Sequence, residues 1–196
     1  MELEIIAIVI SVFAFIIAGC VFPLIFFKLS RKIAQGNLEI QIRNMIREAN
    51  VEKQNKMVEY EAETNEHIKK FKNYAYCSAI EWYLNFFEDA CALAIDGKID
   101  SKRFKKTYYL ELGEIIKNKK YATFFVQDSD FKLDVENEEA FKDYVEKGKN
   151  KETCYYHKIF STYYGWEEER KLKQHKNIER ELKNNAKENN KEKSQM

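Results

Sequence analysis

Residues 5–27 run without a single charged side chain, and Ile, Val, Phe and Leu dominate the stretch. At about 1.5 Å per residue, a helix of that length spans roughly 34 Å, enough to cross the hydrocarbon core of a bilayer. On an insertion scale its apolar residues together favour transfer by on the order of 5–10 kcal/mol. The sequence therefore predicts a single N-terminal transmembrane helix over 5–27. Glu2 and Glu4 precede it, and Lys28, Arg31 and Lys32 follow directly. The excess of cations on the C-terminal side predicts residues 1–4 outside and the rest of the chain in the cytoplasm, so a single-pass protein of the cell's inner membrane.

Two other uses of the same segment are weighed. A cleaved signal peptide wants a basic start and a short apolar core; this start is acidic and the core is long. Ile17-Ala18-Gly19-Cys20 resembles a lipoprotein box, in which the cysteine is lipidated. The residues after it, Val21 to Phe27, stay apolar, so Cys20 reads first as a membrane-helix residue, with lipidation as the second reading.

The remainder is predicted all-α. Six glycines and one proline, Pro23, are too few for a turn-rich β architecture. The 33 basic and 32 acidic residues nearly cancel, so no overall field draws the chain to nucleic acid, and no specific nucleic-acid partner is expected. Cys77, Cys91 and Cys154 lack the spacing of a disulfide framework, as suits a reducing compartment.

Residues 28–70 read as a juxtamembrane charged helical stalk. Gly36 and Asn37 are a potential helix break. From Leu38 an apolar pattern at helical spacing begins (Leu38, Ile42, Met45, Ile46, Ala49) and then fades into mixed charge. Self-association through a coiled coil is open, although the apolar seam lapses between Lys53 and His67. Residues 71–166 carry the small helical bundle. Its central helix is read from Phe71, Ala75, Ser78, Trp82, Phe86 and Ala90, widened by Tyr74, Ala79, Tyr83 and Phe87. Asp96-Gly97 ends it, and Asp100 or Ser101 caps a helix with Phe104, Tyr108, Leu112 and Ile115 inward. Tyr121 to Val126 extends that helix or forms a short extended piece. Gln127 to Glu139 reads as an acidic loop, Glu138 to Lys147 as a helix, Gly148 to Lys151 as a turn, and a last helix starts near Glu152. Residues 167–196 read as a charged helix that becomes disordered from Asn184.

The blocks Trp82-Tyr83-Leu84-Asn85-Phe86-Phe87-Glu88-Asp89, Ile95 to Asp100, and Tyr155 to Trp166 resemble an uncharacterised bacterial family, a domain of unknown function. That family joins one N-terminal membrane helix to a small cytoplasmic helical domain. The resemblance implies a bacterial, membrane-anchored helical domain and carries over no catalytic residue.

Candidate chemistry is thin. Cys154 and His157 form a C-x-x-H pair, but a structural zinc site needs four ligands, and Cys77 and Cys91 lie far away in sequence. Asp96 to Asp100 lacks the order of a calcium loop. Glu88 or Asp89, beside Phe86 and Phe87, can be a carboxylate with a raised pKa, but the two are about 100° apart on a helix and cannot serve one site together. Arg170 and His175 fit the R-x4-H pattern of the all-helical HEPN ribonucleases, which this chain resembles in size and helix content; here the pattern falls in a charged tail. The aromatics from Tyr155 to Trp166 recur at helical spacing, as core residues do. No catalytic, cofactor-binding or metal-binding residue is assigned, and no cofactor is implied.

Two classes of function fit. The first is a membrane-tethered interaction or regulatory module, partnered by the bilayer through residues 5–27, by an unknown cytoplasmic protein and by a second copy of itself. The alternative is an anti-phage defence or toxin effector, acting by membrane disruption or by RNA cleavage at Arg170 and His175.

Overall fold

The computed structural model describes Phe15, residues 21–126 and residues 133–193, with side chains as far as Glu181. Six helices and no strand are found among the described residues: α1 (Phe22–Glu61), α2 (Glu66–Ile95), α3 (Ser101–Lys117), α4 (Lys119–Val126), α5 (Glu138–Lys149) and α6 (His157–Lys193). The all-α expectation holds. Among the described residues no helix is long and apolar enough to cross a membrane. Most of the expected span, 5–27, including Cys20, lies outside the described residues.

Helices α1 and α2 form an antiparallel hairpin. Ile42, Ile46 and Ala49, at helical spacings of four and three, are buried with α2 as the main packing partner of α1. Farther along, Tyr60 stacks on Tyr76, ring centroids 6.1 Å apart. The Asn65 side chain accepts the backbone N–H groups of His67 and Ile68 and so caps α2. The solvated stalk expected over 28–70 is corrected from Leu38 onward, while residues 28–34 are exposed as expected. The helix passes through Gly36 and Asn37 unbroken, and from Leu38 onward it is a wall of the bundle. A glycine costs a helix only about 1 kcal/mol, and the apolar stripe that follows offsets that once α2 covers it.

The inward face of α2 is also corrected. Tyr76, Ile80, Tyr83, Leu84, Phe87 and Cys91 are buried, while Phe71 is 73% exposed and Trp82 42% exposed. Phe86 is half-buried beside Trp82, ring centroids 5.2 Å apart. The two stripes carry three aromatics each (Phe71, Trp82 and Phe86 against Tyr76, Tyr83 and Phe87), and the buried one lies one residue step round the helix, where it has neighbours on both sides. Of the expected flank, Ala79, Tyr83 and Phe87 are inside and Tyr74 is outside.

The end of α2 follows the expected chemistry. Gly97 takes φ +65°, and the N–H groups of Lys98 and Gly97 return to the carbonyls of Leu93 and Ala94 at 2.9 and 3.3 Å. Asp100 caps α3 through the N–H groups of Lys102 and Arg103. Helix α1 grips this turn. Gln35 donates to the Gly97 carbonyl at 3.1 Å, and the two oxygens of Glu39 take the Asp100 N–H and the Arg103 guanidinium, each at 2.9 Å.

Tyr121 to Val126 lies in the short helix α4, which starts at Lys119. Most of the expected loop from Gln127 lies outside the described residues, and Asn137 caps α5. Gly148, expected in a turn, is inside α5, where a Cβ would lie 2.4 Å from the Phe160 ring. The last helix starts at His157 rather than Glu152. Asn150 instead organises a turn, its side chain accepting the Glu152 N–H and its carbonyl the Cys154 N–H. Helix α6 runs antiparallel to α3, with Tyr163 against Gly113 and Tyr109, and Trp166 against Phe104. It continues to Lys193, so the expected loss of structure from Asn184 is not seen within the described residues.

Phe87 and Phe160 are fully buried, and alanine at either should cost about 3–5 kcal/mol through lost burial and the cavity left behind. Trp82→Ala should cost less than half as much. Urea unfolding of a fragment starting at Lys28 checks this; an equal loss at Trp82 would put its ring in the core.

Candidate functional site

The seam of Ile42, Ile46 and Ala49 continues on the next turn of α1 at Lys53. Lys53 is half-buried there. Its ammonium lies 3.6 Å above the centroid of the Tyr83 ring, from α2, and 5.5 Å from that of Tyr121, from α4. Both faces supply the negative side of an aromatic quadrupole. Among the described residues no carboxylate comes within ion-pair distance of Lys53, and Glu111 acts on it only through space. Burial draws the Lys53 amine down to about 8, against the opposing pull of the Glu111 charge.

Glu111, from α3, is held in turn. The Tyr83 hydroxyl donates to its Oε1 at 2.6 Å. Burial, followed by this bond, pushes the Tyr83 phenol well above its ordinary range, and burial raises Tyr121 to about 12. Both tyrosines are therefore neutral donors at physiological pH. Asn50, Gln54, Thr107, Glu114 and Asn118 complete the rim of an open cleft of about 480 Å³ between α1, α2, α3 and α4. One amine, two carboxylates, three amides and two phenols thus converge from four helices. Such a group of hydrogen-bonding side chains around one cation suits a small polar ligand or a partner's polar side chains.

A second buried group is structural. Glu88 is 7% exposed, and its carboxylate accepts the N–H of Lys158 at 3.0 Å and that of Ile159 at 3.0 Å, at the start of α6. The His157 Nδ1 stands 3.5 Å from the other oxygen. Burial pushes the Glu88 carboxyl up to about 7, against the pull of the two N–H groups. Of the two carboxylates singled out in the sequence, Glu88 is the inward one and Asp89 is exposed.

The remaining sequence candidates are dispersed. Cys91 and Cys154 are buried, and burial raises both thiols, Cys154 to about 11; Cys77 is half-buried on another part of α2. No group of three or more potential metal ligands occurs among the described residues. Arg170 bonds Glu167 at 2.8 Å and His175 lies 3.5 Å from Glu179, each on the exposed surface of α6. Five residues on a helix place them about 140° apart, so one chain does not bring them to one site. Tyr156, Phe160 and Tyr163 are core residues, while Tyr155 faces solvent.

Sequence reasoning missed Lys53, Glu111 and Tyr121 as a group, because they are far apart in the chain. The one available signal was a lysine in register with Ile42, Ile46 and Ala49, where the seam calls for an apolar side chain. Comparison with protein families, with characterised proteins and with solved structures finds no match to this chain.

Two outcomes follow from these geometries. At pH 8 Lys53 should acylate faster than Lys56, whose ammonium is held charged by Glu59; peptide mass spectrometry after brief exposure to an amine-reactive ester reads the ratio. Glu88 has a raised folded-state pKa, so its stabilising contribution is complete below about 4.5 and is lost as pH rises through about 7. The urea midpoint of the fragment should therefore fall between pH 5 and 8, by an amount equivalent to roughly 3 kcal/mol at most. Glu88→Gln, whose amide oxygen can still take both N–H groups, should flatten that slope.

Proposed function

We propose that this protein is a membrane-tethered helical interaction module, anchored by residues 5–27 with its N-terminus outside and its bundle in the cytoplasm. The observation that carries the reading is the start of α1. Phe22, Leu24, Ile25, Phe26 and Phe27 are 59–68% exposed on a helix that then passes, through Lys28, Arg31 and Lys32, unbroken into the bundle. Five large apolar side chains open to water in succession fit a lipid environment, and the cations beside them fit the cytoplasmic headgroup level. A continuous helix from anchor to core would hold the bundle at a fixed distance from the bilayer. The cleft around Lys53 and the outward aromatics Phe71, Tyr74 and Trp82 supply surfaces for a partner.

Membranes from cells producing the full chain should retain it through high salt and alkaline carbonate, and a tag after Met196 should resist protease until the cells are permeabilised. Release by carbonate would rule out a spanning helix, and cleavage in intact cells would invert the orientation.

A further inference from the structure

Helices α1 and α6 leave the bundle from the same end. The α2–α3 turn marks that end, because Glu39 of α1 binds Asp100 and Arg103 there. From Glu39 back to Phe27 is twelve residues of α1, roughly 18 Å. Helix α6 runs toward the same turn: it begins against Glu88, and its Trp166 and Glu169 reach Phe104 and Lys105 in the first turns of α3. It therefore clears the bundle near Arg170 and continues to Lys193. Those residues span roughly 36 Å, twice the distance from the turn to Phe27.

We infer that the distal part of α6 is a second membrane contact, docking on the anionic lipid headgroups of the leaflet that α1 enters. The inference rests on the anchored reading of α1. Given that anchor, α6 leaves the bundle on the same side as α1 and is long enough to reach the surface that α1 enters. It is also too charged to go further, since lysines and glutamates are costly in the hydrocarbon core. The sign of the charge names the partner. Residues 170–193 hold nine Lys and Arg against four Glu, with Lys183, Lys187 and Lys191 recurring every fourth residue. Each lysine near an anionic surface strengthens partition by roughly fivefold. Lys28, Arg31 and Lys32 follow the apolar start of α1, so both helices bring cations toward the same leaflet.

The test uses the full chain in lipid nanodiscs of phosphatidylcholine alone or with phosphatidylglycerol, digested by a protease that cuts after glutamate. Cleavage after Glu188 should slow at least tenfold with phosphatidylglycerol, recover at 1 M salt, where the screening length falls to about 3 Å, and recover in the K183Q/K187Q/K191Q variant. Cleavage after Glu63, in the turn at the opposite end of the bundle, should be equal in both discs. Equal cleavage after Glu188 in the two discs, with the chain retained through carbonate, overturns this inference alone. Protection of Glu188 by an RNA oligomer but not by lipid overturns it in favour of nucleic acid. Release of the chain by carbonate overturns the anchored reading and this inference with it.

Discussion

The Glu88 carboxylate at the start of α6 is the contact on which the arrangement of helices depends. The first turn of any helix leaves N–H groups without intrahelical partners, and here that turn is packed inside the protein. Glu88 supplies the missing acceptor from a different helix, which fixes where α6 begins, against which turn of α2, and in which direction it runs. Without that acceptor two buried donors would be unsatisfied, at roughly 1–3 kcal/mol each. The same device recurs at Glu39, which reaches from α1 to the Asp100 N–H at the start of α3. Two glutamates thus settle the positions of two helices that short loops alone would leave free to swing.

Within this frame the aromatic side chains do the filling. Phe87 meets Tyr83 and Tyr108 edge-on, and Phe125 and Tyr144 meet Phe160 in the same way. Edge-to-face contacts bring the positive rim of one ring to the negative face of another, and they join rings from α2, α3, α4, α5 and α6. The buried Tyr144 hydroxyl donates to the Ile116 carbonyl at 3.0 Å, which ties α5 to the end of α3. Lys53 is the exception in the seam. An aliphatic residue there would continue the packing of α1, whereas the lysine keeps an amine among Tyr83, Tyr121 and Glu111 and opens the wall of the bundle to a polar cleft.

The direction of the helices links the fold to the proposed anchoring. Helix α1 enters the bundle with its apolar beginning outside it, and α6 leaves toward that same side carrying a cationic surplus. Both directions follow from the contacts of Glu39 and Glu88 rather than from any property of the projecting segments themselves.

Local physics made several features legible in the sequence: the uncharged 5–27 stretch, the all-α class, the left-handed Gly97 after α2, and the Asp100 cap. Each rests on residues within a few positions of one another. The stripe from Leu38 to Ala49 was equally visible, but its partner was not, so a wall of the bundle read as a stalk. On α2 two adjacent stripes were both apolar enough to face inward, and only the neighbours on either side selected Tyr83 and Phe87 over Trp82 and Phe71. The cleft was beyond the sequence for a related reason. Lys53, Tyr83, Glu111 and Tyr121 are ordinary residues at ordinary helical positions, and their chemistry arises only when four helices bring them together. The sequence by itself determined which segments are helical and where the chain is apolar, because those depend on near neighbours. Tertiary structure decided which faces are buried, what Glu88 caps and where Lys53 stands, because those depend on partners tens of residues away.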